Sequence, residues 1–242
     1  MAKLIIGNWK LNPQTEKKAV NLARSSDFKN VVIAPPFLFI PAVKKVVKKA
    51  SIGAQDVFWE NSGAYTGCVS ATQLKHLGVE YVIVGHSERR YYFKETNRMI
   101  NKKVKNVLKE GLKVVLCVGE NLSMRKKGIN AAKKFIKRQL TESLLDLRSS
   151  VIDHQTLLIA YEPVWAIGTG YSDKPEEVVK VVRFIKDFLA NTHKASVKVF
   201  YGGSVDASNA SDFLSYKEID GLLVGSISLK PKEFIKIVNV AS

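Results

Sequence analysis

Residues 157–201 read LLIAY EPVWAIGTGYSDK PEEVVKVVRFIKDFL ANTHKAS VKVFY. Two short apolar runs, Leu157–Tyr161 and Val197–Tyr201, enclose a longer amphipathic stretch. Within it Val178, Val181, Val182, Ile185, Phe188 and Leu189 share one helical face, while Lys180, Arg183 and Asp187 point elsewhere. Asp173, Pro175, Glu176 and Glu177 make a favourable start for a helix over Pro175–Leu189. A strand apolar on both faces, a helix and a second such strand spell a parallel β-α-β unit.

The same alternation extends in both directions. Strands are expected at Leu4–Trp9, Val31–Ala34, Ile52–Gln55, Tyr81–Gly85, Val114–Val118, Leu157–Tyr161, Val197–Tyr201 and Gly221–Val224. A second clear helix runs from Glu95 to Glu110 and stops at Gly111. Eight such units in 242 residues match a closed (β/α)8 barrel, with residues 1–242 forming one domain. The rival is an open doubly wound sheet, whose dinucleotide signal is GxGxxG after an early strand. The nearest string, Gly168 to Asp173, lacks the third glycine and follows the sixth strand. One connection, Val57 to Ser70, exceeds the roughly 2–6 residues usual for a βα loop. It is punctuated by glycine and carries Trp59 and Tyr65, which marks it as a partner surface.

A hydrophobic content of 46% excludes a disordered or fibrous chain. No apolar run reaches the roughly 18 residues of a membrane span. The opening Leu4-Ile5-Ile6 run ends at once in Asn8 and Lys10, which is not a signal-peptide plan, so a soluble cytoplasmic protein is expected. Cys68 and Cys117 lie far apart and make neither a disulfide framework nor a metal motif. Lys and Arg number 38 against 22 Asp and Glu, a net charge of +16. The lysines are dispersed, as at Lys44-Lys45, Lys48-Lys49, Lys102-Lys103 and Lys133-Lys134, mostly on polar sides of helical patterns. They read as solvated helix faces. Interleaved aromatic and basic strands are absent, so nucleic acid is not an expected partner.

A barrel carries its chemistry where strands end at the C-terminal face. Strand one ends Asn8-Trp9-Lys10; alternation turns Asn8 and Lys10 to one side, although a lysine on a barrel rim can simply reach into solvent. Strand four ends Gly85-His86-Ser87-Glu88 before an expected helix start, which disfavours an imidazolium and keeps His86 neutral. A structural ion-pair knot with Glu88 and Arg90 is the alternative there. His76, His154 and His193 read as surface residues. Strand six ends at Glu162, followed by an apolar loop, Pro163-Val164-Trp165-Ala166-Ile167-Gly168-Thr169-Gly170. A loop closing over the mouth would exclude water and make Glu162 a better general base. Strands seven and eight end Gly202-Gly203-Ser204 and Gly225-Ser226, turns that let backbone N–H groups approach an anion. A carboxylate, a neutral histidine, a lysine, a lid and an anion grip suit proton abstraction beside a carbonyl on a small phosphorylated substrate.

Taken together, these strings resemble the triosephosphate isomerase family. The matching motifs are Gly7-Asn8-Trp9-Lys10, Gly63-Ala64-Tyr65-Thr66-Gly67, His86-Ser87-Glu88-Arg89-Arg90, Cys117-Val118-Gly119-Glu120, Tyr161 to Gly170, and Tyr201-Gly202-Gly203-Ser204-Val205. They stand in family order along essentially the whole chain. The resemblance implies interconversion of dihydroxyacetone phosphate and D-glyceraldehyde 3-phosphate through an enediolate, without metal or cofactor. It assigns Glu162 as base, His86 and Asn8 to the substrate oxygens, Lys10 as the cation, and Glu88 as the holder of Lys10. It gives phosphate to the N–H groups of Gly168, Ser204, Gly225 and Ser226. Residues 163–170 become the lid, and residues 57–70 a homodimer contact in which Thr66 reaches the partner's site. This family is itself the usual illustration of a neutral helix-terminal histidine, a glutamate base and loop closure. Three positions depart from it: Leu11 for Met, Cys68 for Glu, and Ser226 for the second glycine of its turn. Ser226 would weaken phosphate binding if its backbone needed a glycine-only conformation. Another phosphate-binding barrel isomerase and an anion-binding surface protein are the other readings.

Overall fold

Parallel strands in a closed ring need helices to cover their outer faces, and a computed structural model, described over residues 2–147, 152–167 and 173–242, has that arrangement. The strands are β1 Leu4–Asn8, β2 Val31–Ala34, β3 Ser51–Ala54, β4 Tyr81–Val84, β5 Lys113–Val118, β6 Leu157–Tyr161, β7 Lys198–Tyr201 and β8 Gly221–Val224. Each pairs in parallel with its sequence neighbours, and β1 closes on β8 with Ile6 opposite Leu223. Every expected strand is present; β2, β6 and β8 have the expected limits and the others differ by a single residue at one end or, in β3, at both. Helices among the described residues are α1 Glu16–Ser25, α2 Ile40–Val46, α3 Ala71–His76, α4 Ser87–Tyr92, α5 Asn97–Lys109, α6 Leu122–Lys126, α7 Ile129–Ser143, α8 Pro175–His193, α9 Ala210–Leu214 and α10 Pro231–Ala241.

The two-sided apolarity of the strands has a direct consequence in packing. Ile6, Val32, Ile83, Val115, Cys117, Leu158, Phe200 and Leu223 point inward and fill the barrel. Their neighbours Ile5, Val31, Ile33, Ile52, Val82, Val114 and Leu157 point outward and pack beneath the helices. The interior is therefore a packed core closed from below, and a site is left only at the mouth.

Two helix limits differ from expectation. Thr96 caps α5, its Oγ1 accepting the Met99 N–H at 3.3 Å, so Glu95 lies outside the helix. Helix α8 runs on past Leu189 to His193 and ends at Lys194 in the left-handed region. Freed from the helix, Glu95 enters a buried ion network. Lys103 Nζ lies 2.6 Å from Glu95 Oε1 and 2.7 Å from Asp56 Oδ1. Arg89 Nε reaches Glu95 at 2.7 Å and Arg89 Nη2 reaches Asp56 at 2.9 Å. Burial pushes the Asp56 carboxyl up, and Lys103 beside it pulls the other way. The network ties α4 and α5 to the end of β3. Replacing Glu95 by Ala strips the buried Lys103 of one of its two carboxylates, and we expect a loss of about 3–5 kcal/mol, read as an earlier denaturation midpoint.

The connection over residues 57–70 leaves the barrel as expected, with Ser62 through Cys68 exposed. Trp59 is less free than its position suggested: it is half-buried, with the Phe58 ring tilted against it at 4.1 Å and Lys102 Nζ 5.4 Å above its ring. Cys68 is exposed, whereas Cys117 is buried in the barrel interior. Burial, then the nearby Glu162 charge, holds the Cys117 thiol well above its usual range. A thiol reagent should therefore modify Cys68 in the folded chain and Cys117 only after unfolding, as peptide mapping would read directly.

Candidate active site

The ends of β1, β4, β6, β7 and β8 converge on a cavity of about 210 Å³ at the barrel mouth. Asn8, Lys10, His86, Glu162, Ser204, Gly225 and Ser226 line it together with Ile167 and Asn209. Residues distant in sequence are thus brought together because each follows a strand of one ring. His76 and His154 are exposed and His193 is half-buried, away from this mouth. Thr66 lies on the exposed 57–70 loop and does not line the cavity. Gly168, Thr169 and Gly170 lie outside the described residues.

Asn8 is the last residue of β1, and Lys10 stands beyond it with φ +52°. Strand alternation thus does not carry Lys10 to the cavity; a left-handed backbone does, which is costly for a side-chain-bearing residue. Three hydrogen bonds hold that conformation. The Lys10 N–H donates to Asn8 Oδ1 at 3.1 Å, and Gln55 Nε2 donates to the carbonyls of Lys10 and Ala34 at 2.8 and 2.9 Å. The Lys10 ammonium then lies 2.5 Å from Glu88 Oε1, as expected for a cation fixed at the mouth.

His86 is the N-cap of α4, and its Nδ1 accepts the Glu88 N–H at 3.3 Å. A ring nitrogen that accepts carries no proton, so the proton sits on Nε2 and the ring is neutral. Nε2 lies 3.1 Å from Glu162 Oε1. Glu162 is only 2% exposed, and its Oε2 accepts the Ser87 N–H at 3.0 Å. Its Oε1 has no aligned hydrogen-bond partner, despite the close imidazole. A buried carboxylate with one anchored and one unpartnered oxygen is placed to receive a proton. The chain must pass very close here. A Cβ on Gly119 would stand 1.7 Å from the Glu162 carbonyl oxygen, so that position accepts only glycine.

Of the segment expected to form a lid, Pro163–Ile167 is described, with a short 3₁₀ turn over Val164–Ala166. Its anchor is Glu120, fully buried, whose Oε1 accepts from Trp165 Nε1 at 3.1 Å and from the Tyr161 hydroxyl at 3.2 Å. Burial pushes the Glu120 carboxyl up, while the Trp165 hydrogen bond opposes this. Arg125 continues the cluster, with Nη2 2.9 Å from Asp173 Oδ2 and its guanidinium 5.6 Å from the Trp165 ring. Asp173 in turn donates its N–H to the Tyr201 hydroxyl at 3.3 Å. Both described ends of the loop are therefore held by groups from β5, β6 and β7. The Ser204 hydroxyl donates to the Ala166 carbonyl at 2.5 Å, so the turn after β7 touches the loop after β6. A Cβ on Gly203 would meet the Tyr201 hydroxyl at 2.2 Å, which explains the paired glycines.

The eighth-strand turn settles one departure. A 3₁₀ turn spans Ser226–Leu229, and Ser226 is exposed with φ outside the positive range. Its backbone therefore needs no glycine, and the first N–H of the turn has no helical carbonyl to serve. We expect Ser226→Gly to change KM for the triose phosphate by less than about threefold.

A (β/α)8 barrel with a buried carboxylate, a neutral imidazole, a fixed cation and glycine turns at its mouth defines a class: enzymes that move protons on a small anionic substrate. The comparisons narrow it. The sequence matches the family model described as Triosephosphate isomerase over residues 3–241. It is 43% identical to the triosephosphate isomerase of Dictyoglomus thermophilum and 44% identical to that of Caldanaerobacter subterraneus subsp. tengcongensis, each over 98% of both chains. It is also 43% identical to that of Cytophaga hutchinsonii over the same share. The chain belongs to the triosephosphate isomerase family. It is an isomerase that interconverts dihydroxyacetone phosphate and glyceraldehyde 3-phosphate.

Proposed function

We propose that Glu162 is the general base of this isomerisation, that His86 and Asn8 attend the substrate oxygens, and that Lys10 is the cation for the enediolate and the phosphate. The observation that carries the reading is the unpartnered Glu162 Oε1, 3.1 Å from a neutral His86 at the cavity edge. Glu162 takes a proton from C1 of dihydroxyacetone phosphate, and the electron pair moves onto the C2 oxygen. His86 Nε2–H donates to that oxygen and helps exchange the proton between the two oxygens. Glu162 then returns its proton to C2. Lys10, positioned by Glu88 and Asn8, offsets the developing negative charge in a water-poor site. The phosphate goes to the N–H groups of Gly168, Ser204, Gly225 and Ser226, beneath the lid of residues 163–170. No cofactor or metal takes part in this scheme, and residues 1–242 work as one domain.

We also propose a cytoplasmic homodimer built on the 57–70 loop, with Thr66 reaching the partner's site. Supporting it is exposed apolar surface: Tyr65 on that loop and Phe93 are exposed large hydrophobics, and Leu11, Leu38, Tyr91 and Tyr92 elsewhere on the chain are too. A groove of about 290 Å³ lined by Phe37, Phe58, Cys68, Phe93 and Met99 adjoins it.

The test is isomerisation of glyceraldehyde 3-phosphate coupled to reduction of the product, with and without 2-phosphoglycolate. Turnover blocked competitively by that enediolate mimic is expected. Turnover indifferent to it would remove the substrate site from the barrel mouth.

A further inference from the structure

Over the whole chain the lysines look scattered, but one contiguous stretch concentrates them without acidic neighbours. From Leu122 to Thr141 there is no Asp or Glu, while Arg125, Lys126, Lys127, Lys133, Lys134, Lys137 and Arg138 all fall there. Arg125 is spent on Asp173 in the lid anchor. Among the described residues Lys126, Lys127, Lys133, Lys134 and Lys137 make no ion pair, and Arg138 reaches Glu142 only at 4.0 Å.

Their placement opposes the stability of the helix that carries them. Lys133 with Lys137 and Lys134 with Arg138 are like-charge pairs at i,i+4, each unfavourable by about 0.2–0.5 kcal/mol. The first turn of α7 has no acidic residue to offset these charges, and Gly128 offers no side-chain cap. A bound polyanion would relieve the repulsion.

We propose that the outer face of α7 docks double-stranded nucleic acid through its phosphates, without reading sequence. Three observations select that occupant. Ala132, Ile136 and Leu140 of α7 are buried against the barrel, and its other large apolar side chains, Ile129 and Phe135, are half-buried, leaving no fully exposed apolar stripe to enter a membrane. The nearby aromatic rings are already covered by cations: Lys133 lies 5.7 Å from the Phe184 ring, Lys137 5.8 Å from Phe188, and Arg138 5.4 Å from Phe135. They are therefore not open platforms for the bases of a single strand. The two rows of cations, each stepping about 6 Å along a rigid helix, fit a stiff array of phosphates. None of these side chains lines the catalytic cavity.

The experiment is fluorescence anisotropy of the full chain with a labelled mixed-sequence DNA duplex, titrated between about 50 and 200 mM salt. The wild type should bind, with DNA and RNA duplexes alike within about threefold and a single strand more weakly. The variant K133E/K134E/K137E/R138E should lose about 100-fold or more in affinity, and its salt slope should fall by about 3–4 units. Its isomerase turnover should stay within about twofold, which also reports the fold. The control K44E/K45E/K48E/K49E, on α2 and the turn after it, should keep its affinity. The proposal is overturned by no binding at low salt, by equal losses in both variants, or by tighter binding to phosphatidylglycerol vesicles than to duplex.

Discussion

Glu162→Ala should lower kcat by about 10³-fold or more while leaving the barrel folded. The expected loss is large because Glu162 Oε1 is buried, without an aligned partner, and within reach of the neutral imidazole at the mouth. The structural cost is small for a separate reason. The carboxylate accepts the Ser87 N–H and a hydrogen bond from the Cys117 thiol, and losing such bonds costs about 1 kcal/mol each. Removing a buried negative charge offsets part of that. Unfolding midpoints of the two proteins should thus lie close together while their turnover differs by orders of magnitude. Near-normal turnover in the folded variant would take the base role away from Glu162.

The second large effect concerns Lys10, where charge and backbone can be separated. Lys10→Ala keeps a Cβ in the left-handed region and loses the ammonium; Lys10→Gly loses the ammonium and relieves the backbone. Both should lower kcat/KM by about 10²–10³-fold, since the lost group is a positioned cation facing the developing oxyanion. Their stabilities should split, with Lys10→Gly more stable than Lys10→Ala by about 1–2 kcal/mol, because φ +52° costs a side-chain-bearing residue that much. Similar inactivity with different stability would show that the strain serves to aim the charge. Equal stability would mean that Gln55 and Asn8 hold the turn without strain.

The two cases mark where sequence reading succeeds and where it stops. Eight strands were legible because a barrel strand buries both faces, so runs such as Leu157–Tyr161 are apolar throughout. Once the barrel is expected, the rule that strand ends carry chemistry finds Asn8, His86 and Glu162 without further help. The left-handed turn at Lys10 has no signature in Trp9-Lys10-Leu11, since positive φ is announced by Gly or Asn and neither stands there. Gln55 was missed for a related reason. Its only signal is a polar residue at the end of β3, and its partners are carbonyl groups, which no sequence displays. The Ser87 N–H that anchors Glu162 is equally silent. The cluster of Asp56, Arg89, Glu95 and Lys103 needed three elements to meet in space, and a helical reading that absorbed Glu95 hid it. Glu120 belongs to a sequence motif that names no partner for it; its grip on Trp165 appears only when β5 and β6 lie side by side.

The central claim is that a proton leaves the substrate carbon, rests on Glu162 and returns to the neighbouring carbon. Isomerisation of glyceraldehyde 3-phosphate in deuterium oxide, followed by proton NMR of the product, tests it most directly. Deuterium is expected at C1 of the dihydroxyacetone phosphate formed by the wild type, with both isotope entry and turnover collapsing together in Glu162→Ala. Product free of solvent deuterium, formed at an undiminished rate by the Glu162→Ala variant, would contradict it.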